Sequence, residues 1–532
     1  MKRTDQIALS TATILIAVFS LLSRAAGLLR DRLLAARFGA GDALDVYTAS
    51  FRVPDFLYNL LILGTLSAAF IPVFTEYVRR DRDEAWAVAR TILNTTIAVM
   101  GALAVILMFF SPILVALLVP GFPPAKQALT VTLTRVMLLT PLLFSVSSVF
   151  SSVLNSFRRF LLVASLPVIY NLAIIGGILF LEPRFGLIGL AWGVVAGAIL
   201  HMSLQIPAVL RLGFRFSLGW DLQHPGVRRV IRTFVPRVFG MDLGQISFFI
   251  SSIIGSMLAS GSVAVYSLAF NLESVPIGII AIAFATVAFT LLSEAAASED
   301  KEKFRQILQS NFSQILFLIV PMGILMVVLR AQIVRIVLGS GHFSWDDTLR
   351  TIEALGYFGI SLFAQSLVPL LSRAFYAMKN TIIPVVCGLT AAGINIVAAL
   401  LLVPHYQVAG LALAFSIGSL ANLILLFVTF EMKYGNIVDA PLFLKLEKIA
   451  VAAVLAGIAA YAGLYIIEPF VATSTVIGLL IQAVGASLAG GGAYLLAGML
   501  LGISESRHLA SNMKVWMNRL RLAFARFPGL FQ

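Results

Sequence analysis

The 532-residue sequence predicts an all-α polytopic membrane protein of about fourteen transmembrane helices: two pseudo-symmetric six-helix lobes followed by two C-terminal helices. Three observations carry that expectation. Hydrophobic residues make up 60% of the chain and charged residues only 12%, with a mean hydropathy of +0.98, whereas soluble domains are roughly a quarter charged. Apolar windows long enough for a helix to cross a bilayer, about 20 residues each, recur along the whole chain. Lys and Arg concentrate in alternate connections between those windows, the signature of a fixed orientation in a membrane.

The windows fall near residues 7–36, 43–75, 88–118, 128–155, 160–182, 186–210, 229–258, 262–293, 311–338, 350–377, 382–403, 407–430, 447–468 and 474–502. None alternates as a barrel strand would, and helices satisfy their own backbone groups in lipid. The first window follows Met1, Lys2 and Arg3 and so imitates a secretory signal. The apolar pattern resumes at Leu28 and Leu29, so it reads as the first helix, bent near Gly27. Basic residues cluster at Arg79–Arg90, Arg158 and Arg159, Arg211–Arg237, Lys301–Arg305, Arg373 and Lys379, and Lys433–Lys448. This distribution places both termini in the cytoplasm and accounts for the +13 net charge without any nucleic acid.

Cys387 is the only cysteine, which excludes a disulfide within the chain. The five histidines show no metal-ligand spacing. No GxxxxGK[ST] phosphate loop occurs, which argues against direct ATP hydrolysis.

Two word pairs repeat at a period of about 220 residues: "VYTASF" (Val46–Phe51) with "VYSLAF" (Val265–Phe270), and "GLIGLAWG" (Gly186–Gly193) with "QVAGLALAFSIG" (Gln407–Gly418). Six spans per copy give both copies one orientation, the arrangement of transporters built from parallel repeats. The expected organisation is 1–215, 216–432, two further spans over 433–502, and a tail over 503–532. In the tail Leu509, Met513, Trp516, Leu520, Phe524 and Phe527 form one apolar face beside Lys514, Arg519, Arg521 and Arg526, suited to an anionic membrane surface.

The stretch "SRAAGLLRDRLLAARFGAGDALDVYTASFRVP" (Ser23–Pro54) breaks the apolar pattern. Arg24, Arg30, Asp31, Asp45 and Arg52 facing lipid would together cost on the order of 12–18 kcal/mol, taking about 2.5–3.5 kcal/mol for each. They must face water, one another or a ligand. Residues seven apart project from nearly the same helix face, which aligns Arg24 with Asp31 and Asp45 with Arg52. Deep arginines suit a phosphate or diphosphate, whose oxygens match the guanidinium fork; alternatively the pairs are ion pairs that fix helix packing.

At these residues, and at "LSAAFIPVFTEY" (Leu66–Tyr77), "LNSFRRFLLVASLPVIYNL" (Leu154–Leu172), "QISFFISSIIGSMLASGSV" (Gln245–Val263) and "RAFYAMKNTIIPV" (Arg373–Val385), the chain resembles the MviN/MurJ family of lipid II flippases, within the multidrug/oligosaccharidyl-lipid/polysaccharide exporter superfamily. The resemblance implies a transporter, not an enzyme. It implies export of an undecaprenyl-diphosphate-linked cell-wall precursor across the bacterial inner membrane by alternating access, with phospholipids and the cell-wall synthesis machinery as neighbours. It assigns the cavity roles to Arg24, Arg30, Asp31 and Asp45, with Arg52 as a further candidate. The chain departs from the family at Tyr58, Asn59 and Leu63, where a basic pair and an acid are usual, and at Phe270 and Asn271, where an Asp-Arg pair is usual. Asn271 and Glu273 are candidates for a second-lobe site. Asp242 and Asn395 are candidates for a coupling monovalent cation, with Ala399 where an acidic partner is expected; no other cofactor is expected. Export of two negative charges across 100 mV, inside negative, gains about 4.6 kcal/mol. Rival readings are a flippase for another lipid-linked oligosaccharide and a non-transporting scaffold. The deep arginines argue against a drug/cation antiporter, and the short outer connections against a glycosyltransferase.

Overall fold

The computed structural model describes residues 3–61, 65–239, 244–509 and 511; Leu63, Asp242 and the basic tail from 512 onward lie outside them. The described chain is helical: α1 (Arg3–Phe38), α2 (Asp42–Ser50), α3 (Arg52–Leu61), α4 (Thr65–Arg80), α5 (Arg82–Leu118), α6 (Pro124–Met137) and α7 (Leu139–Ser156). Then come α8 (Phe160–Gly176), α9 (Glu182–Ser203), α10 (Ile206–Arg211), α11 (Pro225–Phe239), α12 (Gly244–Ser256), α13 (Ser262–Pro276) and α14 (Ile282–Ala297). The last seven are α15 (Lys301–Val328), α16 (Arg330–Val337), α17 (Trp345–Ile360), α18 (Leu362–Ala377), α19 (Ile382–Tyr434), α20 (Ala440–Ile467) and α21 (Val476–Leu500). π-Turns join α8 to α9 (Gly177–Leu181) and α13 to α14 (Ile277–Ala281).

Eight stretches among the described residues are long and apolar enough to cross a membrane, and nine if the bent pair Trp345–Ile360 and Leu362–Ala377 counts as one. Two of the eight, Phe160–Arg211 and Ile382–Tyr434, run to 52 and 53 residues, several times the roughly 30 Å of a hydrocarbon core at 1.5 Å per residue. Each contains a residue with non-helical backbone near its middle, Gly186 (φ 61°) in the first and Gln407 (φ 50°) in the second, so each supplies two of the expected spans. The remaining expected spans coincide with helices that are charged, as α1 is in its second half, or broken, as α2–α3 is at Phe51. The protein is a multi-pass membrane protein.

Contacts gather into two compact units, Met1–Leu268 with Val337–Asp347, and Ala269–Ile336 with Thr348–Gln532. This division falls inside α13, not at residue 215, where the sequence repeat alone would put a boundary. The repeat nevertheless has a backbone signature. Residues with positive φ recur as Arg158 and Lys379, Gly186 and Gln407, and Gly213 and Gly435, separated by 221, 221 and 222 positions.

In the first unit α8 lies along α1 and against α9. Small residues permit that approach: a Cβ on Gly193 would lie 2.7 Å from Gly177 Cα, and one on Gly197 would lie 2.9 Å from the Tyr170 ring. Phe70, Phe74, Trp86 and Phe150 fill the core between α4, α5 and α7. The 337–347 segment closes on the end of α1, where His342 N–H donates to Ala36 O at 2.8 Å and Ala40 N–H donates to the Asp347 carboxylate at 3.2 Å. In the second unit α14, α15, α18 and α19 enclose Phe304, Phe312, Phe375 and Phe430. The paired α20 and α21 pack on α15, and Tyr494 Oη–H donates to Phe317 O at 2.7 Å.

Gly193→Leu should separate α8 from α9. Overpacking of this kind costs about 1–3 kcal/mol, which would appear as a lowered unfolding midpoint of the full chain in detergent; an unchanged midpoint would contradict the close packing.

Candidate functional site

Arg30, Asp31, Asn171, Arg52 and Asp55 form the charged interior of the first unit. Asp31 is 5% exposed, and a carboxylate so removed from water needs compensation. It receives that from its sequence neighbour: Arg30 Nε and one terminal nitrogen donate to Asp31 Oδ1 at 2.9 and 2.8 Å. The other terminal nitrogen of Arg30 donates to Asn171 Oδ1 at 3.0 Å. Asn171 is itself fixed, because its amide donates to Pro167 O and Ser23 O. A guanidinium carries five N–H donors. These three bonds orient Arg30 and leave two donors for a ligand.

The same-face argument pairs Arg24 with Asp31, and the structure corrects it. Positions seven apart on one helix stand about 10.5 Å apart along the axis, so the adjacent Arg30 reaches Asp31 while half-buried Arg24 makes no ion pair among the described residues.

The pairing of Asp45 with Arg52 is corrected too, because residues seven apart again stand about 10.5 Å apart along a helix and each finds nearer partners, Asp45 in Lys126 and Arg52 in Ser252 and Ser267. Asp45, 2% exposed, accepts from Lys126 Nζ at 2.8 Å, from Gly261 N–H at 2.8 Å and from Ala264 N–H at 2.9 Å. It thereby stabilises the first turn of α13, where an anion meets unpaired N–H groups and the positive end of the helix dipole. Lys126 also bonds Asp42 at 2.6 Å and lies 3.9 Å from the centre of the Phe122 ring. Only glycine fits at 261, where φ is +84° and a Cβ would fall 1.6 Å from Ala40 O. Asp45 thus ties α2 to α6 and to the first turn of α13.

Arg52 points to α12 and its surroundings: Nε donates to Ser252 Oγ and a terminal nitrogen to Ser267 Oγ, both at 2.8 Å, and its guanidinium lies 5.1 Å from the Phe248 ring centre. One turn on, Asp55 is exposed and acts electrostatically on both Arg52 and Arg30. It acts also on Tyr47, Tyr58 and Tyr170. Asn171, Lys126 and Asp55 were all missed by sequence reasoning. The available signals were an amide inside the apolar run "SLPVIYNL", and an acid one turn after Arg52.

In the second unit Phe270 packs edge-on against Phe358 and Phe415, with ring centres 5.8 and 5.6 Å away. Asn271 is partly buried, and Glu273 is fully buried. Asn395 is buried on α19 against Gly418; its expected companion Asp242 is outside the described residues. Among the described residues no group of three or more His, Cys, Asp or Glu could hold a metal ion.

Removing one partner of a buried ion pair costs about 3–5 kcal/mol. Asp45→Ala and Lys126→Ala should each approach that loss, and the double variant should cost clearly less than their sum. Additive losses in chemical unfolding of the full chain would contradict the tie.

A family model described as lipid II flippase MurJ matches residues 34–481. The probable lipid II flippase MurJ of Buchnera aphidicola subsp. Acyrthosiphon pisum is 31% identical over 422 residues, covering 77% of this chain and 81% of that protein. The lipid II flippase MurJ of Burkholderia cenocepacia is 28% identical over 458 residues, covering 84% and 89%. A solved lipid II flippase MurJ in an inward closed conformation has the same fold, with a TM-score of 0.76 at 24% identity over 92% of this chain and 98% of that one. An inward-facing multidrug resistance MATE family transporter gives a TM-score of 0.62 at 16% identity, over 77% and 94%. The matched region contains Asp45, Arg52, Asp55 and Asn171, and the chain belongs to the lipid II flippase MurJ family.

Proposed function

We propose that this protein moves a polyprenyl-diphosphate-linked cell-wall precursor, lipid II, from the cytoplasmic to the outer leaflet of a bacterial inner membrane. The observation that carries this reading is the anchored guanidinium of Arg30, held by Asp31 and Asn171 with two N–H donors uncommitted. Arg24 stands one and a half turns away on α1, and Arg52 is oriented by two serines. Fixed guanidiniums of this kind recognise the paired oxygens of a diphosphate and lose little side-chain entropy on doing so.

Asp55 gives the site its second property. A carboxylate acting on Arg30 and Arg52 offsets their charge while no lipid is bound and opposes the diphosphate once it arrives, which favours release over retention. Transport requires binding that is strong enough to load and weak enough to let go, and no bond in the lipid need break. The reading includes alternating access, cytoplasmic termini as the positive-inside pattern directs, and assistance from the membrane potential or a monovalent cation gradient.

Complementation of a conditional flippase-depleted bacterium tests the reading, with expression matched by immunoblot. The wild-type chain should restore growth, and Arg24→Ala and Arg30→Ala should reduce rescue by about tenfold or more in plating efficiency, since loss of a charge-assisted contact weakens binding of the diphosphate. Failure of well-expressed wild type would remove lipid II as substrate. Full rescue by Arg30→Ala would remove the arginine from the mechanism.

A further inference from the structure

Glu273 is a buried acid that the arginine site leaves unused. It sits on α13 with 0% exposure, and neither Oε1 nor Oε2 has a hydrogen-bond partner among the described residues. Its neighbour on α18, Gln365, faces the carboxyl as a weak donor, and one of the two N–H groups on Gln365 Nε2 is given to Ser361 Oγ at 2.9 Å. Ser361 Oγ–H donates to Ser416 Oγ, and Ser416 Oγ–H to Tyr357 O, both at 2.8 Å. Glu273 therefore stands at the head of a buried polar chain whose nearest member, the Gln365 amide, does not come within hydrogen-bond distance of either carboxyl oxygen.

Native proteins rarely leave a buried polar atom unpaired. An ionised carboxylate there would cost several kcal/mol even after relaxation. Two occupants could remove that cost, a metal cation or a proton. Hard cations are held by several oxygen ligands at once, and among the described residues Glu273 belongs to no group of three or more His, Cys, Asp or Glu that could hold one. Neither carboxyl oxygen is hydrogen-bonded to a charged side chain among the described residues. A proton needs no such cage. The π-turn Ile277–Ala281 begins one turn beyond Glu273, and insertions of this kind mark sites where a helix is locally adjusted for function.

We propose that Glu273 is a proton-binding site. In the conformation described here the carboxyl holds the proton. When a conformational change hydrates the site, the O–H bond breaks, the proton passes to water, and the carboxylate is stabilised by hydration. Reprotonation from the outer side and release to the cytoplasm would let one proton enter as one lipid leaves, a coupling that rests on the transport reading above.

Infrared difference spectroscopy of the full chain in lipid nanodiscs tests the site without requiring transport. At neutral pH the wild type should show the C=O stretch of a protonated carboxylic acid, shifted by deuterium exchange, and this band should be lost in Glu273→Gln and in Glu273→Met. Absence of the band in wild type, or its persistence in both variants, overturns the proposal. Loss of the band when choline chloride is replaced by sodium chloride at constant pH also overturns it, in favour of a sodium site. In proteoliposomes loaded with lipid II, an imposed pH gradient should change the wild-type transport rate, and that response should vanish in Glu273→Gln. Equal responses in the two proteins overturn the coupling. Absence of any wild-type transport contradicts the lipid II reading instead, and the infrared band then decides the proton site alone.

Discussion

The bond between Asp31 and Arg30 is the interaction on which the first unit's chemistry depends. An acid at 5% exposure within a membrane-spanning helix is untenable alone, and Arg30 both neutralises it and is oriented by it. Asn171 completes the arrangement from α8, facing Gly27 on α1, where a Cβ would lie 3.8 Å from its Oδ1. The same network that stabilises the fold presents unused donors to a ligand.

Charges in this unit divide by how completely they are satisfied. Asp45 is saturated by Lys126 and two backbone N–H groups, so its work is to hold α2, α6 and the start of α13 in register. Arg30 has donors without a partner among the described residues, Arg52 gives its hydrogen bonds to two neutral serine hydroxyls, and Asp55 is exposed. A ligand can compete for the second group at modest cost and cannot compete for the first without dismantling the fold.

Much of the fold was legible because lipid imposes length and apolarity on any spanning helix. Even the repeat words located a real feature, since Gly186 and Gln407, aligned by them, are the two positions where long helices break with positive φ. The break at Phe51 was not legible, as neither Phe51 nor its immediate neighbours are glycine or proline. Arg30 and Asp31 stood out because intramembrane charge is costly. Their geometry did not, because helical phase alone ignores the axial distance between residues seven apart. Asn171, Lys126, Ser252 and Ser267 are ordinary residues far along the chain, and only tertiary structure brings them to the arginines and Asp45. Glu273 was visible as an acid in an apolar helix, but its lack of partners is a property of the packed structure.

The most direct test of the central claim is the affinity of the purified full-length protein for a polyprenyl diphosphate and for the monophosphate of the same chain length, measured by native mass spectrometry. The anchored guanidinium predicts a clear preference for the diphosphate that is lost in Arg30→Ala while the monophosphate affinity changes little. Equal affinity for the two lipids, or a preference that survives in Arg30→Ala, would contradict it.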